Sequence, residues 1–237
     1  MARDPSKSGR DDYITPYRFA DYAVERGLQI LNPPKRSDDI LFLEPGCGPY
    51  APFSHAAYER GCNVLAIEKE TSSATLDPKL TADMVKSGNF SKIHGLNYFS
   101  DNRYFESVKE DGGFHLIITN PPYSLAEKFI NRSLELLNPW GVLGLLLRIQ
   151  FCASKGRVAL FKSRPPVEIG VFVRRVSFEH LDESVGGGTD YSEYCMFYWL
   201  GDSLDVLYRK HNGGQAPTKF YWIDNSNPKE PIETFGL

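Results

Sequence analysis

The chain has 237 residues, of which 41% are hydrophobic and 24% charged. That is a globular composition, long enough for one α/β domain with short additions. The formal net charge of −3 argues against a strongly basic nucleic-acid binder. No apolar run approaches the roughly 18 residues that a membrane helix needs.

Residues 1–10 are polar and carry no apolar stretch, so a disordered arm without a secretion signal is expected. Thr15 can cap a helix with Pro16 at its first position, and the helix then runs through Phe19, Tyr22, Ala23 and Leu28. Asn32-Pro33-Pro34 is a turn-rich connector. Ile40 to Leu43 reads as a buried strand that leads into Glu44-Pro45-Gly46-Cys47-Gly48. Glycine there lets the backbone turn tightly and approach a ligand. A helix over about Phe53 to Arg60 would aim its N-terminal dipole at the same place. Asn63 to Ile67 is a second strand ending at Glu68, 20 residues beyond Gly48. An acid at that spacing suits the ribose hydroxyls of an adenosine ligand.

Residues 71–92 are polar and give no periodic signal, and Ile93 to Phe99 reads as a short third strand with its loop. Leu116-Ile117-Ile118 is a further buried strand that stops at Asn120-Pro121-Pro122-Tyr123, because proline cannot extend a hydrogen-bonded ladder. The loop is rich in acceptors and poor in donors: the Asn120 side chain and the Asn120 and Pro121 carbonyls can accept, while proline has no N–H. It therefore suits an amino group that presents two donors, and Tyr123 offers a ring on which a planar base can stack.

A helix with Leu125, Phe129, Leu134 and Leu137 on one stripe follows. Gly141 to Leu147, Val167 to Val173 and Tyr194 to Leu200 are three more strands, and residues 201–237 read as an irregular tail. Between Arg148 and Arg175 stand seven basic residues (Arg148, Lys155, Arg157, Lys162, Arg164, Arg174, Arg175) against the single acid Glu168. Such a stretch is either a phosphate-attracting patch or a solvated mixed face. The cysteines, Cys47, Cys62, Cys152 and Cys195, form no C-x-x-C pair, so free thiols in a reducing compartment are expected and zinc is not.

Together these stretches resemble the class I methyltransferases that use S-adenosylmethionine (SAM), and within them the small phage and bacterial N6-adenine DNA enzymes of the gamma arrangement. Asn120-Pro121-Pro122-Tyr123 is similar to the catalytic loop of the amino-methyltransferases. Glu44-Pro45-Gly46-Cys47-Gly48 is similar to the cofactor loop, although Pro49 departs from the acidic or small residue common there. Tyr13-x-Thr15-Pro16 looks like the segment that helps enclose the methionine end of SAM.

The resemblance covers roughly residues 11–200. It implies a Rossmann-like α/β fold with a seven-stranded, mostly parallel sheet whose last strand is antiparallel. Residues 1–200 would form the methyltransferase domain and 201–237 a tail packed on it. It also implies Glu68 on the ribose and Asn97, with Asp101 as rival, on the adenine of SAM. Asn120 to Tyr123 would be catalytic, and Tyr123, Arg148 and Phe178 would meet the substrate. Phe178 is equally readable as a core anchor. The implied activity is metal-free methyl transfer to adenine N6 in DNA, in the cytoplasm of a bacterial or phage-infected cell. The alternatives are an RNA adenine or protein glutamine as acceptor, or a non-catalytic SAM-binding protein. No target-recognition domain is visible, which leaves site selection to short loops or to a partner.

Overall fold

The computed structural model describes residues 13–32, 39–69, 90–94, 97–100, 102–176, 178–180, 192–226 and 233–235. The polar arm, most of the 71–92 stretch, Asp101 and the loop over 181–191 lie outside these residues, as does the side chain of Tyr13.

In chain order the elements are β1 (Tyr13–Ile14), α1 (Tyr17–Leu31), β2 (Leu41–Pro45), α2 (Pro52–Glu59), β3 (Asn63–Glu68), β4 (Phe90–His94) and α3 (Asn102–Glu110). After them come β5 (Phe114–Thr119), α4 (Ala126–Leu136), β6 (Leu137–Arg148), α5 (Val158–Ser163), β7 (Glu168–Phe172) and β8 (Glu179–His180). The last are β9 (Tyr194–Leu200), α6 (Asp202–His211), β10 (Lys219–Asp224) and β11 (Glu233–Phe235).

The main sheet has the order β11-β10-β7-β9-β6-β5-β2-β3-β4. Neighbours are parallel except at β9, which is antiparallel to both β6 and β7, and at the edge strand β11. The seven strands expected from the sequence are all present, with the last of them antiparallel and inserted between β6 and β7. The count of seven is corrected to nine among the described residues. Residues 201–237 are not irregular: they supply α6 and extend the sheet with β10, parallel to β7, and β11.

Alternation along the strands builds a core on each face, as a period of two requires. Phe42, Val64, Leu116 and Ile118 point to the side of α1 and α2, where they meet Phe19, Ala23, Val24, Phe53 and Ala57. Leu43, Leu65, Ile117 and Leu145 point to the other side, against Phe105, Phe129 and Ile130. Both faces are covered, so the strands read as continuous apolar runs.

Several boundaries differ from the sequence expectation. The third strand, β4, covers Phe90–His94 and not Ile93 to Phe99, because it pairs with β3 from Phe90 onward. Pro16 is itself the residue preceding α1, and no side chain caps that helix; Thr15 is engaged elsewhere. The helix after the Asn-Pro-Pro-Tyr loop buries Phe129, Ile130, Ser133 and Leu136, and Leu137 already belongs to β6. β6 is longer than Gly141–Leu147 because Leu137 pairs with Phe114 ahead of a bulge.

Far-apart segments are tied by specific pairs. Arg26 of α1 grips Glu168 of β7 through Nε at 2.9 Å and Nη2 at 2.5 Å, which explains the lone acid in the basic stretch. The Asn225 side chain donates to the Arg174 carbonyl at 2.8 Å and accepts from the Arg174 N–H at 2.9 Å. The C-terminal segment thus fixes the exit of β7. Among the described residues no helix is long and apolar enough to cross a membrane, and no group of His, Cys, Asp and Glu could hold a metal.

Candidate active site

The parallel strands β2, β3 and β5 end on one edge of the sheet, where their loops meet. β2 runs between β3 and β5, so the glycine loop after β2 lies beside the Asn120 loop after β5. Thr119 Oγ1 donates to the Pro45 carbonyl at 2.6 Å and joins the two. Gly46 and Gly48 have φ of 68° and 62°, a region that side chains on Cβ disfavour. Gly46 and Cys47 donate their N–H groups to the Ile67 carbonyl at 2.9 and 3.0 Å, which folds the loop back over β3. Ala51 completes the turn at φ 44°, ahead of Pro52 at the start of α2.

Glu44 lies under this loop and is 2% exposed. One of its oxygens accepts the Ser54 N–H at 2.6 Å, so a carboxylate from β2 caps the N-terminus of α2, where a partial positive charge favours an anion. Burial outweighs that stabilisation and pushes the Glu44 carboxyl up to about 8. The linkage has a definite sign: a folded-state value above the unfolded one contributes stability below pH ~4.5, and this is lost as pH rises through about 8. The imidazoles of His55 and His115 have pKa values lowered by burial and act in the opposite sense. Melting temperatures from pH 5 to 9 should therefore fall more steeply with pH for the parent than for Glu44→Gln; equal slopes would mean Glu44 is ionised throughout.

A cavity opens above the loop, lined by Thr15, Glu44, Gly46, Cys47, Gly48, Tyr50 and Asn120 among others. Asn120 donates its Nδ2 to Thr15 Oγ1 at 3.1 Å. That bond spans 105 residues and is the reason Thr15 does not cap α1. It leaves Asn120 Oδ1 buried with no hydrogen-bond partner among the described residues, which costs about 1–3 kcal/mol for a polar group cut off from water. A Cβ built on Gly48 would meet nothing within 4 Å, so the loop backbone itself borders open space. The cavity is thus bordered by Asn120, whose Oδ1 is orphaned, and by bare backbone of the glycine loop.

The other expected residues fall as follows. Glu68 Oε2 accepts the Gly48 N–H at 2.8 Å and Oε1 the Lys69 N–H at 2.8 Å, so this carboxylate shapes the glycine loop. Cys47 is buried, and its thiol is directed at the Gly48 carbonyl at 3.4 Å. Asn97 Oδ1 accepts the Phe99 N–H at 2.9 Å in a local turn and does not line the cavity. Pro121 is buried, and Pro122 starts a single 3-10 turn over Tyr123–Leu125.

Tyr123 lies beneath the Arg148 guanidinium, whose carbon is 4.6 Å from the ring centroid. Phe178 is only 1% exposed and meets Tyr194 edge-on at 4.8 Å. Of the two readings its sequence allows, a substrate-facing ring and a core anchor, this burial fits the second.

Three residues at the site escaped the sequence reading. Lys92 of β4 donates Nζ to the Gly48 and Pro49 carbonyls at 2.8 and 3.2 Å. Tyr50 stands exposed at the cavity rim. Tyr194 sits opposite Arg148 in the β6–β9 register. Lys92 carried no signal, because it is the last residue of the 71–92 stretch, which has no periodicity.

Topology divides the basic residues. β6 and β7 run parallel, so Arg148 at the end of β6 and Arg174 and Arg175 beyond β7 share the edge that carries Asn120. Arg164 precedes β7 on the opposite edge and is paired with Asp202 of α6. The seven basic residues are therefore not one patch.

No protein-family profile matches the chain, and no curated protein matches it in sequence. Solved structures do share its architecture. The type IIG restriction endonuclease BpuSI superposes on 98% of this chain with 32% of its own, at a TM-score of 0.58 and 14% identity. The human methyltransferase 10 domain containing protein covers 78% of this chain with 82% of its own, at 0.53 and 14%. Precorrin-6y C5,15-methyltransferase from Geobacter metallireducens covers 85% with 97% of its own, at 0.51 and 12%. The fold is the Rossmann-like methyltransferase fold, with its mostly parallel sheet and the antiparallel strand set within it. At these identities the likeness is one of fold, and the site has to speak for the chemistry.

Proposed function

We propose that the chain is a SAM-dependent methyltransferase acting on an exocyclic amino nitrogen, adenine N6 in DNA. The observation that carries this reading is the buried Oδ1 of Asn120, without a hydrogen-bond partner among the described residues, on a side chain that Thr15 holds and that belongs to a residue lining the glycine loop's cavity. A buried acceptor without a partner asks for a donor from a ligand, and an amino group supplies one.

The glycine-loop backbone at Gly46 and Gly48, with Thr15 across the cavity, would hold SAM, and Tyr13 would help enclose its methionine end. Glu68, whose carboxylate holds the Gly48 N–H, would meet the ribose hydroxyls. When bound, SAM supplies an electrophilic methyl group. Asn120 Oδ1 would accept one amino N–H and the Pro121 carbonyl the other, which turns the nitrogen lone pair out of conjugation and toward the methyl. Asn120 and the Pro121 carbonyl would thus hold the amino nitrogen in line to take that methyl, and its surplus proton would leave afterward to solvent. Positioning and electrostatics carry such a step.

Labelled SAM with adenine-containing DNA tests the reading. Label in N6-methyladenine supports it. Label that ribonuclease or protease alone releases moves the acceptor to RNA or to a protein amide, and no transfer to any of the three defeats it.

A DNA substrate also predicts a salt dependence. Arg174→Ala with Arg175→Ala should lower the slope of log affinity against log salt by about 1.5, at about 0.7–0.9 per phosphate contact. Arg164→Ala, on the far edge beside Asp202, should leave it unchanged. Equal slopes for all three proteins would place the substrate away from the Arg174 edge.

A further inference from the structure

We propose that Arg148 holds the stacking face of Tyr123 and exchanges places with the target base during substrate entry. The inference rests on the reading of Tyr123 as the base-stacking residue of this site. Arg148 is the last residue of β6, on the edge that carries Asn120, and its guanidinium lies over the Tyr123 ring at 4.6 Å. Its Nε points at the Tyr194 hydroxyl at 3.5 Å, and the Tyr194 ring tilts 47° from that of Tyr123 at 5.8 Å. A guanidinium is planar and delocalised, and it stacks on an aromatic face much as a base does. Base and guanidinium therefore compete for one surface.

The backbone around Arg148 is fixed in the sheet, so the exchange falls to the side chain. Arg148 is in register with Tyr194, and the next residue, Ile149, donates its N–H to the Glu193 carbonyl at 3.0 Å. Rotation about the side-chain bonds swings the charge off the ring without disturbing β6. The displaced guanidinium stays at the same edge of the sheet, where it can pair bidentately with a phosphate of the incoming strand. A cation that leaves the ring only when a base arrives with its phosphate makes stacking conditional on a nucleotide. A bare planar molecule would have to displace the guanidinium without that compensation.

The exchange has a measurable signature. The probes are two single-stranded oligodeoxynucleotides, one with a single adenine among pyrimidines and one with an abasic site at that position. Each is titrated in the presence of S-adenosylhomocysteine, and the ratio of the abasic to the adenine Kd reports the base alone. Arg148→Ala should weaken the abasic oligonucleotide yet raise the ratio by about 3- to 10-fold, the scale of a cation–π contact removed from competition. Arg148→Lys keeps the charge and loses the flat partner. It should raise the ratio less and hold abasic affinity near the parent value, which keeps the test open if the alanine variant fails to fold. Tyr123→Ala should bring the ratio to one.

A parent ratio above one that both Arg148 variants leave unchanged or lower overturns the exchange. A ratio of one in parent, Arg148 and Tyr123 variants alike overturns the base-stacking reading of the site itself.

Discussion

Asn120→Ala is expected to leave cofactor affinity near that of the parent and to lower turnover by two or more orders of magnitude, roughly 3 kcal/mol of lost transition-state stabilisation. The substitution removes a buried acceptor at the cavity that has no partner among the described residues, so the amino group would be left to rotate at the moment of transfer. Thr15→Val separates orientation from acceptance. Valine keeps the shape of the buried threonine but cannot accept the Asn120 Nδ2 bond at 3.1 Å, and the amide is then free to turn. Turnover should fall by about tenfold, the worth of one ordinary hydrogen bond, with Oδ1 still present. Tyr123→Phe keeps the ring under Arg148 and should retain most activity. Single-turnover kinetics at saturating SAM measure all three. Parental turnover in Asn120→Ala on a methylated substrate would make the loop a structural turn and remove the amino-methyltransferase reading with it.

The part of the site that was legible in the sequence is the part whose physics is local. Ile40 to Leu43, Val64 to Ile67 and Leu116 to Ile118 are strands buried on both faces, so the chain spells them as unbroken apolar runs ended by polar residues, with Pro close behind in the first and third. The left-handed turns at Gly46 and Gly48 need glycine where they stand, and Asn120-Pro121-Pro122-Tyr123 announces itself because two prolines cannot continue a ladder.

What stayed hidden depends on residues far apart in the chain. The Thr15–Asn120 bond spans 105 residues and the Arg26–Glu168 pair 142; neither has a spacing that a sequence window can register. The C-terminal segment was misread for another reason. α6 has no fully buried residue and β10 begins with two exposed ones, so neither carries an apolar stripe of the usual strength. β1 and β8 are two residues each and exist only as partners, with Tyr13 opposite His180. The basic stretch misled because linear proximity was taken for spatial proximity. A crossover through α5 carries Arg164 to the other edge of the sheet from Arg148 and Arg174.

Gly48→Val is expected to abolish measurable SAM binding, a loss of two or more orders of magnitude in affinity, in a protein that still folds. Two effects combine. At φ 62° any side chain with a Cβ is strained, by about 1–2 kcal/mol. The larger effect is steric and falls on the ligand. The Cβ at Gly48 would meet no protein atom within 4 Å, so valine does not clash with its own fold. Its methyl groups enter the space that the loop leaves open beside Glu68 and Tyr50.

Gly46→Val makes the comparison. Gly46 is also left-handed at φ 68°, but its Cβ would approach the Phe129 ring at 3.8 Å, on the side of the second core. It should therefore cost stability comparably to Gly48→Val and obstruct the ligand less directly. Calorimetric titration with SAM, paired with thermal unfolding, distinguishes the two. If both variants lose similar stability and Gly48→Val alone loses SAM, the bare backbone at Gly48 is the cofactor's cradle. If Gly48→Val binds SAM like the parent, the cavity over the glycine loop is not the cofactor site, and the methyl donor must be sought elsewhere on the sheet edge.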